Sequence, residues 1–396
     1  MNIKAKVSRV DYEAQSSAQI TASIDDLLTA IFLRLPIKSL LRFELVSKHW
    51  HSLITNPTFR RLHNPNPATG LFLHCLSYRA RPWIEYFPFS GLKSKPPLRK
   101  LKFAKDSSGI KIVHSCNGLL LCSSFKARDH NRKYYVHNPT TNKFLVLPKL
   151  DIQSGVSSKI RGMSLAFDPA KSPYYKVVSV QVYGLDYGEY KYQIEVYSSD
   201  TGSWRKCCKT SKARVNFENG VYWNGSIHWT SNGIRGDSLY FNTNNQKLGI
   251  MPTPPFGWDC INNYYFGESS DHLHYVKVNG PGLKFDVYEM RRDYSEWFVK
   301  YNVDLSSIVS AYPEMIRSYI RPTSSSYYAF LIFAMVRGEK DEDSFLVLQV
   351  PGKAVKYNFV YQSFETICEF AGVVSGGALN YVSTDGFQYI ESLCCV

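Results

Sequence analysis

The feature that most constrains this chain is a hairpin that recurs. A strand runs into a polar turn, and a second strand then opens with Trp, Lys or another long residue. It reads Tyr135-Val-His-Asn-Pro-Thr-Thr-Asn-Lys-Phe144, then Glu195-Val-Tyr-Ser-Ser-Asp-Thr-Gly-Ser-Trp204. Leu239–Leu248 and Asp286–Trp297 follow, with a weaker copy at Leu346–Tyr357. The starting positions 135, 195, 239, 286 and 346 lie 44 to 60 residues apart, the spacing of propeller blades. From Gly70 onward short apolar and aromatic runs alternate with Gly, Asn, Asp, Pro and Ser, as in many-stranded antiparallel structure. A single four-stranded sheet leaves both faces bare, and radial stacking covers them. Five blades follow from the copies. A sixth is expected from Leu71–Leu76 and Ile84–Phe89 joined to C-terminal strands near Asn380–Val382 and Phe387–Ile390. Seven blades, or a pair of β-sandwiches, remain open at this level.

The first sixty residues read differently. Ser23 can cap a helix that carries Asp25 and Asp26 in its first turn and Leu27, Leu28, Ile31 and Leu35 on its apolar positions. Pro36 ends it. A second helix is expected over Ile37–Leu45, a third over Ser47–Ile54, and a short fourth from Asn56-Pro57 through Phe59 and Leu62. Ile37, Leu40, Leu41, Phe43 and Leu45 spread beyond one stripe, and so small a unit cannot enclose them all. Either the β region or a second protein has to cover them.

These residues carry a resemblance. Ser23-Ile-Asp-Asp-Leu-Leu-Thr-Ala-Ile-Phe-Leu-Arg-Leu-Pro36, Leu40-Leu-Arg-Phe43, Val46-Ser-Lys-His-Trp50 and Leu53-Ile-Thr-Asn-Pro-Thr-Phe59 resemble an F-box of the plant type. Ser23-Ile24 stands where such segments open with Leu-Pro. Further on, Ser115-Cys-Asn-Gly-Leu-Leu-Leu-Cys122, His137-Asn-Pro-Thr-Thr-Asn142, Ala166-Phe-Asp-Pro169 and Asn219-Gly-Val-Tyr-Trp-Asn-Gly-Ser-Ile-His-Trp229 are similar to the F-box-associated, kelch-like domain. The resemblance implies a flexible leader over 1–20, a small all-α F-box over 21–64 and an all-β propeller of about six blades over 65–396. It also implies a Skp1-type adaptor and, through it, cullin and RING subunits. Ile24, Leu27, Leu28, Pro36, Ile37, Leu40 and Val46 are expected to face the adaptor, with Ile31 and Leu35 in the same set. Trp50, Leu53 and Ile54 are shared between that contact and the segment's own core.

Other chemistry is sparse. His272 and His274 share a strand face but lack a third ligand at a recognisable spacing. Gly162-Met-Ser-Leu-Ala166 lacks the strand–turn–helix setting of a nucleophile elbow, Gly372–Gly377 lacks the end of a phosphate loop, and Glu339–Asp343 reads as a hairpin tip. No cofactor, metal or catalytic constellation is expected. No run of 18 apolar residues exists to span a membrane, and Met1–Gln19 lacks the apolar core of a signal peptide. Nine cysteines without a Cys-x-x-Cys pair read as thiols of a reducing compartment, cytoplasmic and/or nuclear. The formal charge of +14 permits an acidic or phosphorylated target, or nucleic acid, though no nucleic-acid motif accompanies it. The basic run Lys93–Lys105 reads as a solvated loop. The expectation is a non-catalytic substrate receptor of a ubiquitin ligase. The alternative is an RNA-, single-stranded-DNA- or glycan-binding propeller whose F-box serves turnover only.

Overall fold

The structure is a computed structural model, and it describes residues 25–63, 68–75, 83–89, 104, 106, 109–125, 131–150, 159–186, 189–210, 214–231, 237–255, 264–278, 280–370, 379 and 386–396. Ser23, Ile24, the leader, the 93–105 basic run, Gly372–Gly377 and Asn380–Val382 lie outside these, apart from Ala104. By its contacts the chain divides into two units, one of residues 1–64 with 169–173 and one of the rest.

In the first unit α1 spans Asp25–Phe32, α2 Ile37–Phe43, α3 Lys48–Thr55 and α4 Pro57–Leu62. Pro36, with φ −59° and ψ 143°, does more than stop α1: it is the cap residue from which α2 starts. Ser47 caps α3 by accepting from Trp50 N at 3.1 Å, and Asn56 caps α4 by accepting from Thr58 N at 2.8 Å, with Pro57 in the first helical position. The second helix stops two residues short of the expected Leu45. Its last turn tightens, Leu45 N reaching Arg42 O and Val46 N reaching Phe43 O, so Leu45 and Val46 fall on a turn.

Among the described residues the β unit contains five four-stranded antiparallel sheets and one of three strands. In chain order these are β3 (Ile110–Cys116) to β6 (Lys143–Val146), β7 (Ile160–Ala166) to β10 (Ser203–Thr210) and β11 (Val221–Trp223) to β14 (Leu248–Met251). Then come β15 (Tyr264–Ser269) to β18 (Trp297–Asp304) and β19 (Leu331–Val336) to β22 (Phe364–Glu369). The sixth sheet joins both ends of the chain. Strand β1 (Gly70–Cys75) pairs with β2 (Trp83–Pro88) on one side and with β23 (Gly386–Tyr389) on the other. The first strands of the five sheets and β23 touch in a closed ring, so the innermost strand of the sixth blade is C-terminal. Six blades is the observed number.

An apolar wedge fills the space between each neighbouring pair of blades. Leu121, Leu165 and Val177 lie in one, Ile194, Ile227 and Phe241 in the next. The largest holds Val287, Leu346, Leu348 and Tyr357 between the fourth and fifth blades. Where the third blade meets the fourth the wedge is smaller, with Trp223, Met251, Leu273 and Met290. There buried His228 extends the packing: Tyr294 stacks on Tyr240 at 4.7 Å, and the Tyr294 hydroxyl lies 2.9 Å from His228 Nε2.

The sequence sets the turns. Asn117-Gly118 and Asn224-Gly225, all with positive φ, close the first hairpins of two blades, as a two-residue turn with right-handed strand twist requires. At Gly118 a Cβ would stand 2.3 Å from Ser392 Cβ, so the chain's tail also needs the glycine there. Hairpins between third and fourth strands each contain a left-handed residue, in order Asn142, Gly202, Gln246, Tyr294 and Gln362. Asn138, Asn242 and Asn358 start three of them by accepting two backbone N–H bonds apiece. The fifth copy of the sequence repeat is therefore out of phase. Leu346–Tyr357 spans the second and third strands of its blade, and the equivalent hairpin is the glycine-free Asn358–Phe364. Two tryptophans of the repeat tie blades together. Trp204 Nε1 donates to Pro148 O and Trp297 Nε1 to Pro252 O, both at 2.9 Å, which fastens a fourth strand to the segment that leaves the preceding blade.

After β23 the tail is held by the first blade. Asn138 Nδ2 donates to Ser392 O at 2.9 Å and Cys394 O at 2.8 Å, and Thr140 Oγ1 accepts from Ser392 N. Asn138→Ala loses its two bonds to the tail and the turn, whereas Asn242→Ala loses the turn alone. We expect losses of about 2–4 kcal/mol for the first and about 1 kcal/mol for the second. Urea denaturation of the two variants checks the ranking, and equal losses would show that the tail clasp contributes nothing.

Candidate functional site

Helix α1 carries two apolar rows. Leu28 and Phe32, four residues apart, point inward and are buried, while Leu27 and Ile31 form the neighbouring row and are exposed at 42% and 41%. From α2, Ile37 and Leu40 point inward, and from α3 Ile54 is fully buried. Phe32, Phe43 and Trp50 form a ring cluster with centroids 5.2 to 5.8 Å apart. His63 Nε2 lies 3.3 Å from Leu35 O.

The adaptor set drawn from sequence therefore splits. Leu27, Ile31, Pro36 and Val46 are exposed, and Leu35, Trp50 and Leu53 are half-buried. Leu28, Ile37, Leu40 and Ile54 are interior, against the expectation that the first three face outward. A helix of seven or eight residues shows too few turns for its sequence to say which of two adjacent apolar rows is the inner one. Leu45, at 87% exposure, and Leu62, at 59%, belong on the surface and were not in the set. The signal for Leu45 was present, since its apolar position falls just where the helix gives way to Ser47's cap. Full burial of one such side chain by another protein contributes about 1.5–3 kcal/mol, so a few of them suffice to drive association.

In the β unit the two histidines acquire neighbours from other strands. Glu289 lies opposite His274 on β17 (Lys284–Met290). His272 Nδ1 is 2.9 Å from Glu289 Oε1, and His274 Nε2 is 3.4 Å from Oε2. Arg337, which follows β19 in the next blade, donates to Oε2 as well. Its backbone joins the same junction: Arg337 N donates to Ser269 Oγ at 2.9 Å, and Ser270 Oγ donates to Arg337 O at 2.8 Å. Burial pushes the Glu289 carboxyl up, but its histidine partners outweigh that and hold it far below the usual carboxylate range. The guanidinium stands where a cation would, making the cluster a clasp between blades. No group of three or more potential ligands among the described residues is arranged to hold a metal ion.

One open cleft of ≈ 440 Å³ lies on the fourth blade. Within it Lys284 pairs with Asp304 at 3.0 Å and Asn302 with Asp286 at 2.7 Å. No described helix is long and apolar enough to cross a membrane.

A small helical unit with outward apolar residues, followed by a six-bladed propeller, defines a two-part architecture. The comparisons agree with it. Residues 25–62 match the F-box domain, and residues 89–264 match the F-box associated beta propeller domain. The chain is 37% identical over 97% of its length to "F-box protein At5g07610" of Arabidopsis thaliana, covering 94% of that protein. "F-box protein At5g49610" of the same plant is 29% identical, with 73% of this chain and 81% of that one aligned. "Putative F-box/kelch-repeat protein At3g17570" is 29% identical over 53% of each. The chain belongs to the plant F-box proteins with a C-terminal F-box-associated β-propeller domain. Members of this class are in general non-catalytic adaptor subunits, and the architecture fits a substrate receptor of an SCF-type ligase.

Burial also shapes the response to pH. It lowers His114 and His137 to about 4 and His228 to about 3, and it lowers His274 too. An unfolded chain protonates these rings near 6.5 while the fold keeps them neutral, so stability falls as pH drops below 6.5. Glu268 acts in the opposite sense: burial, then Asp168, raises it to about 8, and that contribution falls as pH rises from 4.5 to 8. Four rings oppose one carboxyl, so the thermal midpoint should peak near pH 6.5 and decline clearly towards pH 5. Thermal scans across this range check it, and a midpoint still rising at pH 5 would refute it.

Proposed function

We propose that this chain is the substrate-recognition subunit of an SCF-type cullin–RING ubiquitin ligase, with a Skp1-like adaptor on its helical unit and a target protein on its propeller. The single observation that carries this reading is the outward apolar set Leu27, Ile31, Leu45 and Val46 on a unit whose core is already formed by Phe32, Leu40 and Ile54. Large apolar side chains held in water by short helices are what a partner protein covers. Cullin and RING subunits join through the adaptor. The receptor makes no bond; it holds a target lysine near a charged conjugating enzyme, which accelerates transfer by proximity. The fold supplies the needed stiffness, since all six blades are wedged against neighbours. Free thiols at Cys116, Cys122, Cys207, Cys208, Cys368, Cys394 and Cys395 suit a reducing compartment, and we place the protein in the cytoplasm and/or nucleus.

The test is co-expression of the full chain with a Skp1-type adaptor, read by size-exclusion chromatography. Ile31→Asp and Val46→Asp, at exposed positions, are expected to weaken the complex at least tenfold each while leaving the thermal midpoint within about a degree or two. Leu40→Asp buries a charge and unfolds the small unit, so it serves only as a folding control. A full-strength complex with both exposed positions changed would refute the reading.

A further inference from the structure

The longest wholly described connection between strands of this protein is the segment from Leu305 to Phe330, between the fourth and fifth blades. Strand direction assigns it a face. The short turns at 117–118, 224–225 and 270–271 and the hairpins at 139–142, 199–202 and 291–296 all lie at one end of the strands. The 305–330 segment lies at the other end, with the Pro351-Gly352 turn.

This segment is built to project. Its root is fixed in the largest apolar wedge by Leu305, Ile308, Met315 and Phe330, with α5 (Ser306–Ala311) between them. Beyond the root the chain goes out and returns on itself. Ile316 bridges Tyr328 antiparallel, Ala329 N donates to Met315 O at 2.7 Å, and Arg317 N donates to Tyr327 O at 3.0 Å. Across the tip, Arg317 Nη1 donates to Ser326 O at 3.1 Å, and turns at Arg317–Ile320, Arg321–Ser324 and Ser324–Tyr327 are each closed by a backbone bond. The result is a tongue held by its own hydrogen bonds, which presents its side chains at little further entropic cost.

The presented chemistry is specific. Tyr319 is 69% exposed and Ile316 38% exposed, while Arg321 stands in water with no ion pair among the described residues. Residues 315–328 contain two arginines and no acid. Folding alone does not account for a self-bonded element that holds the Tyr319 ring in solvent beside Arg321, whose charge has no ion pair among the described residues. Tyr and Arg are the residue types that anchor protein interfaces.

We infer that this tongue is the target-docking element of the propeller and that it takes an acidic segment of the target protein. Arg321 attracts carboxylates or phosphoryl groups of that segment, and Tyr319 with Ile316 receives an apolar side chain beside it. Charge complementarity selects the occupant: the tip is positive, and the chain as a whole carries +14. Nucleic acid is the poorer match, because single strands need several open aromatic faces in series. Here Tyr327 and Tyr328 pack edge to face on each other at 4.9 Å, which leaves Tyr319 as the exposed ring of the tip. This inference rests on the receptor reading and locates its target site.

The experiment uses the full chain with its adaptor and a fluorescent poly(Glu,Tyr) random copolymer, which samples many acidic, aromatic segments, followed by fluorescence polarisation at low and high salt. Binding is expected at low salt, and Arg321→Glu should weaken it about tenfold, with Tyr319→Ala weakening it several-fold. Lys143→Glu, an equal charge change at an exposed position in a hairpin of the opposite face, should leave it unchanged. Thermal midpoints of all three variants should match the parent. The inference is overturned by absence of copolymer binding, by an equal effect of Lys143→Glu, or by tighter, Arg321-dependent binding of poly(U) RNA. Adaptor association is followed in the same samples: its loss from the parent protein counts against the receptor reading, whereas loss of copolymer binding with the adaptor retained counts against the tongue alone.

Discussion

The pairing of β1 with β23 is the contact on which the propeller depends. Leu71 opposes Gln388 and Phe72 opposes Phe387, joining residues more than three hundred positions apart. No blade covers its own faces; each apolar wedge is half one blade and half the next. Were this pairing absent, both the fifth and the first blades would expose a face at once, since the sixth blade would lose its innermost strand. Loop closure over such a distance is entropically costly, though the cost grows only slowly with length. Tail contacts on Asn138 and Thr140 add hydrogen bonds at the same seam, and Phe72, Tyr86 and Tyr389 pack ring against ring beside it.

Closure of this kind separates scaffold from recognition. At one end of the strands, left-handed residues and asparagine-capped turns keep each connection as short as the geometry allows, and tryptophan and arginine ties stitch neighbouring blades. At the other end the connection from the fourth blade to the fifth is long, and it carries the 305–330 tongue. Binding residues carried on loops above a rigid ring are placed accurately while their identity stays adjustable.

Much of this was legible in the residues. The hairpin repeat carried the blade architecture, because period-two alternation and asparagine-rich turns are local signals, and the joined ends were legible because Leu71–Leu76 had no blade of its own. The phase of the fifth copy was misread since Pro351-Gly352 is the louder turn signal, while Asn358–Gln362 reaches its left-handed residue with a glutamine. Alternation revealed that His272 and His274 share a face. It could not reveal Glu289 or Arg337, which arrive through register with β17 and through packing of the next blade. The tongue went unnoticed for the same reason: nothing in Ser306–Ala329 says that Ile316 returns to Tyr328.

The helical unit shows where pattern reading stops. Leu27 and Leu28 are chemically identical neighbours, yet one is exposed and one buried. Rotating α1 by a single residue would exchange them, and nothing in an eight-residue sequence forbids it; the choice is made by Phe43 and Trp50, which close over Phe32. A core this small is marginal by itself. Under the receptor reading, then, adaptor binding and folding of the unit are linked, because a ligand that binds only the folded form stabilises it. Substitutions at Leu28 or Leu40 would therefore weaken the complex without any loss of contact, by emptying the state that binds. Only the outer row, Leu27 and Ile31 with Val46 after the second helix, distinguishes a broken contact from a broken fold.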